Sequence, residues 1–262
     1  MAYTFISGAT GGIGKAFSIE CAINGYDLFL TGRSDEKLSN LKNQLLSVNP
    51  NIEVKTFPCD LTSETERDNM LKVADSEGLV FDRIINVAGV DIQKAFTDYT
   101  KEKVQFQIRV NVESTITLTH ALLNRRAKEL EIITVASMSG VSPMPYFALY
   151  SATKAALINF FTSLRVEVKN QGVKVTTVLP GGVPTRPDII EDIKGQGLWG
   201  KLSAKSPTFV AKGSLKAVKK NKCKYIPGGF NKLLNFIMKL VPQKWKLSFI
   251  ANRWKKQTKD AF

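Results

Sequence analysis

The chain is poor in metal ligands and in cross-links. It has one histidine, His120, and three cysteines, Cys21, Cys59 and Cys223, in 262 residues. No Cys-x-x-Cys pair or Cys/His cluster is present, which excludes a zinc site of the usual kind. The cysteines are odd in number and far apart, so no disulfide framework is expected and a reducing cytoplasm fits. No apolar run reaches the ~18 residues that a membrane-crossing helix needs. No basic stretch or small-residue cleavage site precedes Tyr3-Thr4-Phe5-Ile6, so a secretory leader is not expected. Internal repeats and low-complexity linkers are also missing.

Acidic residues are nearly absent from one region. Residues 201–262 hold 16 Lys and Arg but a single acid, Asp260, whereas residues 1–200 hold 21 Lys and Arg against 22 Asp and Glu. The net charge of +14 is therefore local to the C-terminal quarter and calls for a local explanation.

What the chain has in abundance is alternation. Short β-branched and apolar runs at Tyr3–Ser7, Asp27–Thr31, Glu53–Phe57, Arg83–Val87, Glu131–Ala136 and Lys174–Leu179 read as strands. Segments of helical period separate them at Ile13–Asn24, Asp35–Val48, Ser63–Asp75, about Lys101–Arg126 and Ser151–Asn170. Ser34 and either Thr62 or Ser63 read as N-caps. This order predicts an α/β fold, doubly wound, with a parallel sheet and helices on both faces. Ligands then bind beyond the carboxyl ends of the strands. After Leu179, Pro180–Pro187 reads as loop, about 187–205 as a candidate lid, Pro207–Lys219 as a helix and Lys224–Ile226 as a last strand. The expected organisation is one domain over 1–226 followed by a basic, helical extension over 227–262.

Every motif falls at a strand end. Ser7-Gly8-Ala9-Thr10-Gly11-Gly12-Ile13-Gly14 joins the first strand to the first helix. Missing side chains let the backbone approach a pyrophosphate, and the helix N-terminus offers it unpaired N–H groups. Gly8, Thr10, Gly11, Gly12, Ile13 and Gly14 are thus candidate dinucleotide contacts. The second strand ends in Leu30-Thr31-Gly32-Arg33. An acid there would bond the ribose 2′-hydroxyl of NAD, whereas Arg33 can pair with a 2′-phosphate, so NADP is expected over NAD. The plainer reading of Arg33 is a solvated loop cation. Cys59-Asp60-Leu61 follows strand three, where Asp60 either bonds the adenine amino group or is an ordinary loop acid. Asn86-Val87-Ala88-Gly89 follows strand four with small residues that let a cofactor come close, or that simply turn the chain.

The most specific constellation is Ser137, past strand five, with Tyr150 and Lys154. Tyr150-Ser151-Ala152-Thr153-Lys154 puts the phenol and the ammonium at i and i+4 on one helix face. A free tyrosine titrates near 10, too high for acid–base work at neutral pH, and a nearby ammonium is expected to pull it down. Tyr150 can then give a proton to a carbonyl oxygen or take one from an alcohol, with Ser137 holding that oxygen.

On these residues the chain resembles the short-chain dehydrogenase/reductase family. Gly8/Gly12/Gly14, Asp60, Asn86-x-Ala88-Gly89, Asn111, Ser137, Tyr150, Lys154 and Pro180-Gly181-x-x-x-Thr185 fall in that family's order and approximate spacing, over about Thr4 to Thr185. The resemblance implies a Rossmann fold and an NADP-dependent oxidoreductase acting on CH–OH donors or their carbonyls. Tyr150 would be the general acid/base, Lys154 would hold the nicotinamide ribose, Ser137 would orient the carbonyl and Asn111 would hold a proton-relaying water. Pro180, Gly181 and Thr185 would sit by the nicotinamide and pyrophosphate, and Val183 would offer backbone contacts to the carboxamide. A homo-oligomer, dimer or tetramer, is also implied, and apolar residues such as Phe160-Phe161 on the Tyr150 helix are candidates for core or subunit interface. Two departures stand out: Ser7 where the family has Thr, and Val87 where it has a second Asn. The competing reading is a catalytically silent dinucleotide-sensing or scaffold protein on the same fold, against which the intact Ser137/Tyr150/Lys154 set speaks. His120, without a second histidine, reads as structural.

In the C-terminal quarter, Phe230, Leu233, Leu234, Ile237, Leu240 and Val241 recur at helical spacing, and Trp245, Phe249, Ile250 and Trp254 follow Pro242. Lys232, Lys239, Lys244, Lys246, Arg253, Lys255, Lys256 and Lys259 lie among them. Such a segment suits an anionic membrane surface or an acidic carrier protein. Equally, its apolar face packs on the domain and closes a greasy substrate pocket. Nucleic acid is not expected, because the apolar stripe is continuous and no recognition motif is present.

Overall fold

The period-two alternation of each strand sends one apolar set to each face of a sheet. In the computed structural model, which describes residues 2–195 and 197–255, these strands are β1 (Tyr3–Ser7), β2 (Asp27–Gly32), β3 (Val54–Pro58), β4 (Phe81–Asn86), β5 (Arg126–Val135), β6 (Val173–Val178) and β7 (Lys224–Tyr225). They form one parallel sheet in the order β3-β2-β1-β4-β5-β6-β7. Phe5, Phe29 and Ile132 face one side, and Ile6, Leu30 and Ile133 the other, all buried. Helices α3 (Glu64–Ser76), α5 (Ser114–Leu123) and α6 (Ala148–Glu167) cover the first side, and α1 (Gly12–Ile23), α2 (Asp35–Val48) and α9 (Pro207–Lys219) the second. This is the doubly wound Rossmann fold expected from the alternation. Phe5, Phe29 and Phe81 pack as a ring triad with centroids 6.0–6.3 Å apart. Each such buried side chain contributes roughly 1.5–3 kcal/mol.

The strand order reverses direction at β1, which lies between β2 and β4. A crevice opens at that reversal, beyond the carboxyl ends of the strands. Ser7 pairs in register with Thr31 on one side and Asn86 on the other, so three of the predicted motifs leave the sheet side by side.

Helix ends follow local chemistry. Ser34 Oγ accepts from Lys37 N at 3.3 Å, and Ser63 rather than Thr62 caps α3, accepting from Glu66 N at 3.3 Å. The long helix expected over Lys101–Arg126 is broken. Helix α4 spans Lys101–Ile108, a π-helical turn follows at Arg109–Glu113, and α5 ends at Leu123. Arg125 and Arg126 turn back to the carbonyls of Ala121 (2.8 Å) and Leu123 (2.9 Å) and close that end. Strand β5 accordingly starts at Arg126, five residues before the expected Glu131, because Arg126 already pairs with Phe81. Its polar first residues hide the strand pattern.

Beyond β6, the candidate lid holds two short helices, α7 (Pro187–Gly195) and α8 (Gly197–Ser203). The basic segment forms α10 (Gly229–Leu240) and α11 (Gln243–Trp254), broken at Pro242. Asn231 Nδ2 donates to the carbonyls of Ser203 and Pro227, both at 2.8 Å, and ties α10 to α8. Lys256 and Lys259 lie outside the described residues. No described helix is long and apolar enough to cross a membrane.

Candidate active site

A cavity of about 300 Å³ lies along the carboxyl ends of β1 and β2, walled by Gly8, Thr10, Gly11, Gly12, Ile13 and Gly14. Three of these four glycines are required by space. A Cβ on Gly14 would stand 2.1 Å from Gly8 O, and one on Gly12 would stand 2.6 Å from Thr185 Cβ. Gly8 has φ +65°, and its Cβ would meet the Ala88 backbone at 2.9 Å. Helix α1 also differs from its neighbours. Ser34, Ser63, Thr100 and Ser206 cap α2, α3, α4 and α9, but Gly11 gives α1 no side-chain cap, and its first turn has no acid. An uncapped helix N-terminus at the end of a glycine cradle fits a pyrophosphate.

The other predicted cofactor residues are not all placed alike. Leu61, Ala88, Gly89 and Thr185 line this cavity, with exposed Arg33 at its edge. Asp60 lines it too, while its Oδ1 accepts from Thr62 N and Oγ1, both at 2.9 Å, so it is also a turn-forming acid. Asn86 faces away: its Nδ2 donates to Thr119 Oγ1 (3.0 Å) and Thr134 Oγ1 (3.3 Å), tying β4 to α5 and β5 behind the cleft. Ser7 does what its hydroxyl allows, accepting from Val87 N (3.1 Å) and Ala88 N (3.3 Å). Those bonds use the backbone of residue 87, so the Val there leaves them intact.

A second cavity of about 430 Å³ meets the first at Ile13, Gly89 and Thr185. Ser137, Tyr150 and Lys154 line it together, with Pro180, Gly181 and Val183 alongside. Ser137 follows β5, and its Oγ accepts from Ser139 N at 3.0 Å. Gly140 lets α6 lie against this turn, since a Cβ there would be 2.7 Å from the Lys154 carbonyl carbon. Lys154 is buried and its Nζ donates to Val135 O at 3.0 Å, 5.7 Å from the Tyr150 ring centroid.

The electrostatics differ from the sequence expectation. Burial, and then the Asp91 charge, hold the Tyr150 phenol above the ordinary tyrosine value, against a hydrogen bond with Ser137 and the Arg186 charge. Burial lowers Lys154 to about 8, with Asp91 opposing. The ammonium is committed to a backbone carbonyl, and desolvation of the phenol outweighs it.

Asn111 does not reach either cavity. It sits buried on the π-helical turn, where its Oδ1 accepts from Val90 N at 2.7 Å and its Nδ2 donates to Val90 O (2.9 Å) and Thr153 Oγ1 (3.0 Å). The bare Cα of Gly89 keeps a space between Asn111 and Lys154. A Cβ there would be 3.1 Å from Lys154 Nζ and 3.4 Å from Asn111 Oδ1.

Sequence reasoning did not single out Asp91, Arg186 or Phe147, which line this cavity, and did not place Trp254 beside them. Arg186 Nη2 donates to Asp91 Oδ1 (3.0 Å) and Asp188 Oδ2 (3.1 Å), joining the loop after β4 to the start of α7. Both Asp91 and Arg186 sit just beyond a motif, and that adjacency was the available signal. Phe147 stacks on Tyr150 with centroids 4.4 Å apart, and Trp254 of α11 stacks on Phe147 at 5.8 Å. Nothing local in the sequence pairs residues 147 and 254.

A family model described as short chain dehydrogenase matches residues 2–190. An uncharacterized oxidoreductase of Staphylococcus epidermidis is 36% identical over 183 residues, covering 69% of this chain and 77% of that protein. Among solved structures, a 7β-hydroxysteroid dehydrogenase superposes with a TM-score of 0.83 at 25% identity, over 95% of this chain and 96% of that one. A short chain dehydrogenase of Burkholderia cenocepacia, solved in complex with NADP, superposes at 0.76 and 20% identity over 87% and 96%. The last is a likeness of fold.

Proposed function

The chain belongs to the short chain dehydrogenase family, and we propose that within it this oxidoreductase moves a hydride between NADP(H) and a carbonyl or secondary alcohol of a hydrophobic, acyl- or sterol-like substrate. One observation carries the reading: Ser137, Tyr150 and Lys154 line one cavity where it opens onto the glycine cradle of another.

A bound nicotinamide dinucleotide supplies or accepts the hydride. The Gly8–Gly14 loop holds its pyrophosphate on α1, Arg33 pairs with the 2′-phosphate, and Asp60 and Leu61 take the adenine side. Ala88 and Gly89 admit the cofactor backbone, with Asn86 bracing that loop from behind. Pro180, Gly181, Val183 and Thr185 take the nicotinamide side. Ser137 donates to the substrate oxygen. Tyr150, kept protonated by its surroundings, gives its proton to that oxygen as negative charge develops there. A phenol held in its acid form favours carbonyl reduction, as does NADP. Lys154 holds the nicotinamide ribose. Asn111 has spent both N–H donors and one lone pair, and the remaining lone pair holds the relaying water.

The substrate class rests on the walls of the second cavity. Met138, Val141, Met144, Leu234, Met238 and Phe249 dominate them, and the volume falls in the ~300–1,000 Å³ range of small-molecule sites. The likeness to a hydroxysteroid dehydrogenase agrees. Residues 1–226 then form the catalytic domain with 187–205 as its lid, and in the extension over 227–262 helices α10 and α11 close the pocket. We also propose a cytoplasmic dimer or tetramer. Phe161 is core, so an interface on α6 would use Val166, which is 72% exposed.

The test is NADPH oxidation across ketones graded from short and polar to bulky and apolar. Tyr150→Phe should lose turnover by roughly 10²–10⁴-fold while still binding NADPH. Wild-type protein that binds NADPH yet oxidises it with no ketone would assign the silent sensor instead. A preference for short polar ketones would remove the hydrophobic substrate.

A further inference from the structure

Helix α10 presents two unlike sides, a mixed inner one and an apolar outer one. At 3.6 residues per turn, Asn231, Leu234, Asn235 and Met238 share one side, and all four line the substrate cavity. Leu233, Phe236, Ile237 and Leu240 share the other, and they are 57%, 60%, 45% and 70% exposed. An exposed row of four large apolar side chains is more than scattered surface hydrophobicity. Helix α11 is tied to this helix by Lys246 Nζ, which donates to Met238 O at 2.8 Å, and its first turn carries Trp245, 70% exposed.

Charge decides among the occupants of such a face. Lys232 and Lys239 flank the row on α10, Lys244 and Lys246 follow on α11, and no acid occurs anywhere between residues 201 and 255. A second copy of the chain would bring the same cations against these and be repelled. A helix with a large apolar row, flanking lysines and a nearby tryptophan suits the plane of an anionic bilayer, and no described helix is built to cross one.

We propose that the outer face of α10, with the lysines of α10 and α11, docks this protein on an anionic lipid surface, leaving the inner face as the pocket roof. Bilayer binding requires no turnover, so it stands or falls apart from the hydride-transfer reading.

The test is co-sedimentation of the full chain with vesicles of phosphatidylcholine, with and without phosphatidylglycerol. The expected result is pelleting roughly tenfold greater on the anionic vesicles, falling as salt is added. The variant Leu233→Asp/Phe236→Asp/Leu240→Asp should pellet no more than with neutral lipid, while its NADPH oxidation with a soluble ketone reports that it has folded. Should that variant not fold, quenching of wild-type tryptophan fluorescence by acyl-brominated anionic lipids gives an independent readout, and absence of quenching overturns the proposal. Equal pelleting on both vesicle types overturns it, as does a folded triple variant that pellets like wild type. A wild-type dimer that the triple variant converts to monomer would assign the face to a second copy. Binding of a soluble acidic acyl-carrier protein through the same row, with no vesicle binding, would assign it to a protein. Either result also overturns the lipid.

Discussion

The two cavities that meet at Gly89 and Thr185 are built by different means. The smaller is built around the glycine loop, where Gly8, Gly12 and Gly14 leave no room for a Cβ. The larger is walled mostly by side chains from five parts of the chain: the loop after β4, the turn after β5, the start of α6, the loop after β6 and the helices after residue 187. A backbone wall needs a specific residue type at a specific position. A side-chain wall needs only bulk of the right polarity, which many residues supply. Substitution should therefore be catastrophic on the first side and graded on the second.

The sharpest contrast is Gly14→Ala. Its Cβ would lie 2.1 Å from Gly8 O, so the cradle must shift. Overpacking of this kind costs about 1–3 kcal/mol. NADPH affinity should fall by up to ~100-fold, measured by calorimetric titration. Met238→Ala, on the side-chain wall, should leave that affinity within about twofold. Equal losses from the two changes would break the comparison. Next in size is Arg33→Asp, which would remove the proposed charge-assisted contact to a 2′-phosphate, worth roughly 1.5–3 kcal/mol. It should move the NADPH-to-NADH ratio of kcat/KM by ten- to a hundredfold toward NADH, and an unchanged ratio would show that Arg33 is the solvated cation of the plainer reading.

Legibility in the sequence follows the same divide. Helix α2 over Asp35–Val48 and β1 over Tyr3–Ser7 stand as the pattern gave them, because caps and apolar periods are local chemistry. The glycine cradle was legible for the reason it is fragile: only glycine fits, so the residue names the geometry. The break in the long helix at Arg109–Glu113 was not, because a π-helical turn leaves no mark in residue type. The Asp91–Arg186 pair spans 95 positions, and the Phe147–Trp254 stack joins α11 to the start of α6. No window along the chain holds both members of either pair. The Tyr150 electrostatics were misjudged for a related reason: spacing reveals that Lys154 is near, but not that Val135 O takes its ammonium.

Lys154 lines the larger cavity beside Gly89 and yields a pH signature. Burial lowers its folded value from 10.5 to about 8. Below about pH 8 both folded and unfolded chains hold the proton, and the buried ammonium costs stability by a constant amount. Between about 8 and 10.5 the unfolded chain binds more protons than the folded one, so stability rises with pH. Relative to Lys154→Met, wild type should gain about 3 kcal/mol across that window. Urea denaturation of both proteins from pH 7 to 11 measures it. A difference that is flat, or that falls with pH, would mean the ammonium is not desolvated.

The smallest effect tests the side-chain wall at its remotest point. Trp254 lines the larger cavity and reaches Tyr150 through Phe147, which stacks on both. Aromatic pairs of this geometry are worth about 0.5–1.5 kcal/mol beyond their buried area. Trp254→Ala should therefore raise KM for a bulky apolar ketone by roughly two- to tenfold, while kcat for a small ketone stays near wild type. The split between the two substrates is what a wall predicts. If kcat fell for both, Trp254 would be holding Tyr150 in place through Phe147, and the side-chain wall would share the rigidity of the glycine cradle. Trp254→Phe decides between these, since a ring restored at that position rescues a positioning defect but only partly refills a wall.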